Sequence, residues 1–262
     1  MKKLLLASVA ITLSAIGPPA SAADWPVKAE PMAVFAWTGC YAGGHIGGGW
    51  AHKDITDPAQ LVQDAFLGLG STVGVTTIST DPIGYLIGGQ FGCDYQFAGN
   101  WVVGLEGAIS GGNLKGSTSV PLPLGNAGDS ARFRTQVDFI SSATLRVGYS
   151  FDHLLLYVKG GGAWVGDKYS AVGICGCNLN NATGGFDFEG VDLRIGWTVG
   201  GGVEWALWEN WSAKLEYDYY DFGHRSVLMS DTPNAVSGPV DIKQTVQTVK
   251  LGLNFHMWWS GN

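Results

Sequence analysis

The chain lacks any stretch able to cross a bilayer as a helix. Its one sustained apolar run, Leu4–Ile16, falls short of the roughly 18 residues a membrane helix needs. A membrane protein without such helices has to be a closed barrel, because lipid offers no partner for an open backbone. The chain also lacks a positive surplus. Its net charge is −7, which argues against nucleic acid as a partner. Cysteines number only 4, a usage that suits an exported protein. Histidines number 5, and His45, His52, His153, His224 and His256 are too scattered for a metal site. Pairs such as Asp221 with His224 can be drawn, but no nucleophile–base motif surrounds them, so no catalytic residue and no cofactor is expected.

What is present starts with an export signal. Met1-Lys2-Lys3, the apolar run and Ala20-Ser21-Ala22 form a charged region, an apolar region and a cleavage site. Residues 1–22 are read as a signal peptide, with cleavage after Ala22 or, alternatively, Ala23. No cysteine follows the site, which excludes a lipoprotein. Losing Lys2 and Lys3 takes the net charge from −7 to −9. Residues 23–36, with Pro26 and Pro31 and no alternation, read as a periplasmic lead-in, and residues 37–262 as one barrel domain. The chain has 40 Gly and 11 Trp; average glycine usage is about 7%, and here it is more than double. Glycine weakens a strand, but it is tolerable where side chains share a narrow lumen.

Alternation with a period of two dominates the mature chain. Ile83, Tyr85, Ile87, Phe91, Cys93, Tyr95 and Phe97 share one face. Gly84, Leu86, Gly88, Gln90, Gly92, Asp94 and Gln96 share the other. After Ala98-Gly99-Asn100 the pattern resumes from Trp101 to Ile109. This is a β-hairpin, with arms as long as the roughly 9–11 residues of a tilted membrane-crossing strand. Comparable segments are Trp37–Trp50, Ala131–Ser150, Leu154–Gly166, Arg194–Ala206, Trp211–Tyr220 and Lys243–Phe255. Tight turns fall at residues 98–100, 151–153 and 208–210. Long loops are expected at Ala51–Pro82, Gly111–Ser130, Asp167–Asp192 and Asp221–Ile242. Eight strands with short turns at one end and long loops at the other are the plan of an antiparallel, up-and-down transmembrane β-barrel.

Trp37-Thr38-Gly39-Cys40-Tyr41-Ala42-Gly43-Gly44, running through glycines to Trp50, resembles the first strand of the OmpA-like, porin-type outer-membrane proteins of alphaproteobacteria, the immunogenic surface-antigen group. Cys40 departs from the usual Phe. The resemblance covers the mature chain and marks a family, not a chemistry. It implies a bacterial outer-membrane location after Sec export, with both termini periplasmic. The implied partners are outer-membrane lipid and lipopolysaccharide, the barrel-assembly machinery, and an extracellular ligand held by the loops. In the resemblance Phe255 would be the terminal aromatic read by that machinery. His256–Asn262 follow it, with Met257 and Trp259 keeping outward parity. Some relatives are associated with haem; no spacing here builds a haem site, and only His52 and His224 lie in expected loops. No peptidoglycan-binding domain is expected after the last strand.

A soluble lipocalin-like carrier also has eight alternating strands, with its apolar face inward. The polar face argues for the membrane alternative. Asp94, Glu106, Asp138, Glu204, Glu216 and Asp218 share inward positions with Arg146, Lys159, Arg194, Lys214 and Lys250, among small residues that leave room for ion pairing. Aromatics gather at strand ends as girdles. Trp37, Phe97, Trp101, Tyr149, Trp205, Trp211 and Phe255 fall near the periplasmic rim; Trp50, Tyr85, Trp164, Trp197 and Tyr219 near the outer rim. The charge network is read as a structural filling, since eight strands leave an interior just wide enough for side chains. If Trp50 lies opposite Ile83, Cys40 lies opposite Cys93, within disulfide reach. Cys175 and Cys177 are candidates for a second, loop disulfide. The expected function is structural, serving envelope integrity and surface interaction, with a narrow pore or none. A small-solute porin and a haem-binding receptor stand as alternatives, followed by the soluble carrier and a barrel enzyme.

Overall fold

A computed structural model of the protein describes residues 35–57, 76–97, 99–121, 130–174, 186–231 and 236–257. The expected signal peptide, Cys175, Cys177 and Trp259 lie outside the described residues. The strands are β1 (Gly39–Asp57), β2 (Thr76–Thr80), β3 (Ile83–Gln96), β4 (Trp101–Pro121), β5 (Ser130–Phe151), β6 (Leu154–Ile174), β7 (Phe186–Trp208), β8 (Trp211–Asp231) and β9 (Val236–Met257). Each pairs antiparallel with its neighbour, and β1 also pairs with β9, so the sheet closes into a ring. Eight strands form the staves. The short β2 pairs only with the last residues of β1, Lys53–Asp57, beyond the ring's main body.

Local chemistry explains the short turns. Asn100 and Asp152 take positive φ values of 67° and 53°, a conformation that asparagine and aspartate tolerate better than most residues. Gly99, at φ 87°, completes the first turn. These turns and the described start and end of the barrel share one end, the periplasmic end by the usual plan of such barrels.

The faces are inside out relative to a soluble protein. Leu105, Leu145, Val158, Ile195 and Leu251 are all about 60% exposed, whereas Glu106, Arg146, Lys159, Arg194 and Lys250 are buried. That excludes the soluble carrier, whose apolar face would be inward. Aromatic pairs mark the periplasmic rim: Trp101 stands edge-on to Tyr149 at 5.4 Å and Trp211 to Phe255 at 5.2 Å. At the outer rim Trp197 and Tyr219 are 5.8 Å apart. Trp37 is a correction to the girdle. Its odd number puts it on the inward parity of β1, and it is fully buried.

The larger correction concerns the loops. Most staves are 21–23 residues long, and at about 3.4 Å per residue and a tilt near 40° each climbs roughly 50 Å. The apolar band of such a barrel is only about 25 Å tall. The ring therefore continues well past the membrane through much of what read as loop. Two features hid it. Above the band the outward face meets water, so Lys115, Ser117, Arg134, Lys168 and Ser170 replace the aliphatics. The inward face turns apolar at Leu114, Phe133, Val137, Ala171, Val227 and Val240. Polarity inverts at the membrane edge, and two strands also change parity there. A bulge between Val137 and Phe139 shifts β5, and one between Asp221 and His224, at Gly223 with φ 62°, shifts β8.

The inversion predicts opposite outcomes for one substitution at two heights. Leu145→Arg, in the middle of the lipid-facing band, should lower the unfolding free energy by about 2–4 kcal/mol. Ser117→Arg, on the water-facing extension, should change it by about 0.5 kcal/mol or less. Urea titrations of the protein folded into lipid vesicles measure both.

Candidate functional site

The candidate site is the filled interior, built in layers. At the periplasmic end Phe35, Trp37, Val102, Leu155, Tyr157 and Ala206 form an apolar plug. Above it lies an ionic layer centred on Arg146, projected inward from β5. Its guanidinium reaches Asp94 of β3 at 3.0 Å and Glu204 of β7 at 2.9 Å. It donates to the Tyr41 hydroxyl at 2.8 Å, which in turn donates to Glu106 at 2.8 Å. The Tyr157 ring lies 4.5 Å from the guanidinium carbon, a cation–π distance.

The lysines complete the layer. Lys159 bridges Glu106 at 2.9 Å and Glu216 at 2.7 Å. Lys214 contacts the same two carboxylates at 2.9 and 3.2 Å. Lys250 binds Asp218 at 2.6 Å and Glu216 at 3.1 Å. Glycine makes the layer fit. A Cβ on Gly104 would run into the Asp94 carboxylate, and one on Gly202 would stand 2.7 Å from the Tyr157 hydroxyl oxygen.

A second apolar layer of Leu86, Leu114, Val137, Ile140, Val165, Tyr220, Phe222 and Val246 covers the ions from above. Beyond it lies a smaller polar layer. Lys53 donates to Asp167 and to Thr135, each at 2.8 Å. Arg194 reaches Asp192 at 3.0 Å and donates to the Ile242 carbonyl at 2.9 Å.

The structure thus brings Asp94, Glu106, Arg146, Lys159, Glu204, Lys214, Glu216, Asp218 and Lys250 into one cluster, and sets Arg194 in the layer above. Asp138 is a correction. The β5 bulge carries it off the inward face, and its half-buried carboxylate pairs with exposed Lys168 at 2.8 Å. Sequence reasoning missed Lys53 and Asp167 because both fall in expected loops. It also missed Tyr41, whose inward parity was the available signal. Cys40 pairs directly with Cys93, Trp50 with Ile83, and the two cysteines form a disulfide.

The histidines separate into two kinds. His45 and His256 are buried, hydrogen-bonded to Ser110 at 2.7 Å and Ser212 at 2.9 Å. His52, His153 and His224 are exposed. Among the described residues no group of three His, Cys, Asp or Glu side chains could hold a metal ion.

Residues 11–255 match the family of the outer membrane protein beta-barrel domain. The chain belongs to that family. It is 29% identical to the 31 kDa outer-membrane immunogenic protein of Brucella melitensis biotype 1, over 97% of this chain and 99% of the relative. It is 26% identical to the 25 kDa outer-membrane immunogenic protein of Brucella abortus biovar 1, over 88% of this chain and 83% of the relative. The outer membrane protein OprG from Pseudomonas aeruginosa aligns with a TM-score of 0.46 and 15% identity, over 85% of this chain and 99% of that one. The protein is an outer-membrane β-barrel of the surface-antigen type, and the bacterial outer membrane is its location.

Two predictions follow from these contacts. Removing one member of a buried ionic cluster strands the others, at a cost of about 3–5 kcal/mol. Arg146→Leu leaves the Asp94 and Glu204 carboxylates without their cation, so its unfolding midpoint in urea should drop by that equivalent. The second concerns His52, on the extracellular extension of β1. Its Nδ1 lies 2.6 Å from Asp81 and its Nε2 3.4 Å from Asp54. The hydrogen bond to Asp81, aided by both nearby carboxylates, raises its pKa above the ordinary histidine value. The contact between β1 and Asp81, in the turn between β2 and β3, is thus fully strengthened below the ordinary histidine range, and that strengthening is lost as pH climbs through the raised value. An NMR titration should place His52 above the ordinary histidine value, and Asp81→Asn should bring it back down.

Proposed function

We propose that the protein is a structural barrel of the outer membrane. It contributes to envelope integrity and presents its extracellular end for surface interaction, without a water-filled pore. The observation that carries this is the sandwich of layers across the lumen. Charged side chains are bonded to one another between two apolar plugs, so an ion passing through would have to break buried salt bridges and cross dry hydrocarbon. Both steps are costly. The narrow bore of eight strands supports the same reading. The small-solute porin reading needs a continuous wet path, which these layers oppose.

An enzymatic reading finds its best geometry at Ser212, His256 and Glu204, and that geometry argues against it. His256 Nε2 faces both the Ser212 hydroxyl at 2.9 Å and a Glu204 oxygen at 3.5 Å. A catalytic triad needs its carboxylate on the other ring nitrogen. Ser212 and Glu204 are also fully buried, beyond the reach of a substrate. A haem receptor would need a ligand set, and His52 is instead engaged by Asp54 and Asp81. In this reading the export signal directs Sec translocation, the assembly machinery inserts the barrel, lipid and lipopolysaccharide surround it, and extracellular ligands meet only its outer end.

Planar-bilayer recording of the reconstituted protein tests the proposal. The expected trace is flat, with no stable openings across a range of voltages. Long-lived conductance steps typical of a water-filled channel would overturn it.

A further inference from the structure

We propose that the outer surface of β4, β5 and β6, just above the lipid-facing band, binds the phosphate groups of a phosphorylated glycolipid in the outer leaflet. This deepens the envelope role proposed above and rests on it, by naming the lipid partner and the side of the barrel that holds it.

The apolar band on this side ends at Ile109, Phe139, Trp164 and Leu193, with Val191 of β7 in the next row beside Lys168. Directly beyond it, Lys115 pairs with Gln136 and Gln136 with Lys168. The next row runs Ser117, Arg134, Ser170, Glu189, and Arg132 follows on β5. Lys115, Arg132, Arg134 and Lys168 are all exposed. With strands about 4.8 Å apart, Lys115 and Lys168 stand roughly 10 Å from each other across β5. They line a concavity of about 700 Å³ together with Arg134, Gln136, Ser117 and Ser170, and with Glu189 and Val191 on its β7 side. Cations and neutral hydrogen-bond donors side by side are the groups that hold phosphate oxygens.

Three observations make this more than a charged surface. First, the bulge at Asp138 creates it. Below the bulge the even-numbered residues of β5, such as Arg146 and Thr144, point inward. Without the shift, Arg132 and Arg134 would point into the barrel as well. Second, Lys115 and Arg134 form no ion pair with any described residue, and only Lys168 has a carboxylate, that of Asp138 at 2.8 Å. Arg132 beside them has none either, whereas most cations elsewhere among the described residues are paired, Lys243 being the exception. Third, the charge is one-sided. At the same height, the side formed by β8, β9, β1 and the Asp81 turn carries Asp54, Asp81, Asp221 and Asp241, against Arg225 and Lys243. A phosphate layer around the barrel would be drawn to one side and resisted on the other. The height selects the source: these groups lie where headgroups meet water, and basic residues there attract anionic lipid.

Native mass spectrometry of the full protein in detergent provides the test, with diphosphorylated lipid A and its dephosphorylated counterpart as probes. The wild type should retain the phosphorylated form on the order of tenfold more than the dephosphorylated one. Lys115→Gln/Arg134→Gln/Lys168→Gln should lose that preference. Arg225→Gln/Lys243→Gln, on the opposite side, should keep it, as should Lys115→Arg/Lys168→Arg. A heat-modifiability gel confirms that each variant is a closed barrel. Equal retention by the triple variant, or equal retention of both lipids by the wild type, overturns the proposal. Displacement by millimolar inorganic phosphate also overturns it, because the site would then bind a free anion rather than a lipid headgroup. Conductance recorded on the same preparation keeps the readings separate: a leaking barrel that still selects the phosphorylated lipid sinks the structural role and not this surface.

Discussion

Lipid cannot hydrogen-bond to a backbone, and the architecture answers that constraint first. Closing β9 onto β1 gives every stave two partners and leaves no edge within the bilayer. Closure in turn fixes the allocation of side chains. Every second residue must face acyl chains, so Leu105, Leu145 and Leu251 point outward. The remaining half of each strand is confined to a bore that water cannot fill freely. Charges placed there have no solvent, and their partners have to come from the opposite wall. Arg146 shows how far this goes: its contacts come from β1, β3, β6 and β7, and of these only β6 shares backbone bonds with β5.

Such a cluster is not by itself a source of large stability. Burying ions costs several kcal/mol each, and good pairing does little more than recover it. What the network supplies is mutual dependence. Glu106 and Glu216 each accept from several cations, so the loss of one donor is felt by many partners, and a register slip of one residue would turn the whole ionic face to lipid. Glycine serves the same arrangement. Gly104 and Gly202 give up side chains so that Asp94 and Tyr157 can occupy the centre.

The membrane part of this fold is legible in the sequence because lipid and lumen differ so strongly. Ile83 to Ile109 can be assigned to faces residue by residue, and once Trp50 is supposed to lie opposite Ile83, as it does, Cys40 falls opposite Cys93. The extracellular part is not legible for the same physical reason. Above the band, water lies outside and an apolar filling lies inside, so the contrast between faces shrinks and changes sign. The bulges at Asp138 and Gly223 then break the parity on which any extrapolation depends. Asp138 is assigned to the interior by counting and lies outside it by one inserted residue. Lys53 and Asp167, a fully buried pair, are hidden because neither neighbouring sequence alternates.

The same inversion explains why the ring can outlast the bilayer at all. A barrel that kept its membrane pattern beyond the headgroups would expose aliphatics to water and bury ions at ever greater cost. Turning most of the filling apolar, at Leu114, Val137 and Phe222 below the single Lys53–Asp167–Arg194 layer, makes the upper barrel resemble a soluble one held largely by hydrophobic burial, stacked on a lower barrel closed around its ion pairs. The two regimes need a joint where side chains can change direction without breaking the ring. A β-bulge does this locally, since one extra residue re-aims the strand while its neighbours stay paired. In β5 and β8 the joints lie close to the membrane surface. The one in β5 sends Arg132 and Arg134 out toward the headgroups, and the one in β8 leaves Val227 and Met229 to fill the upper interior.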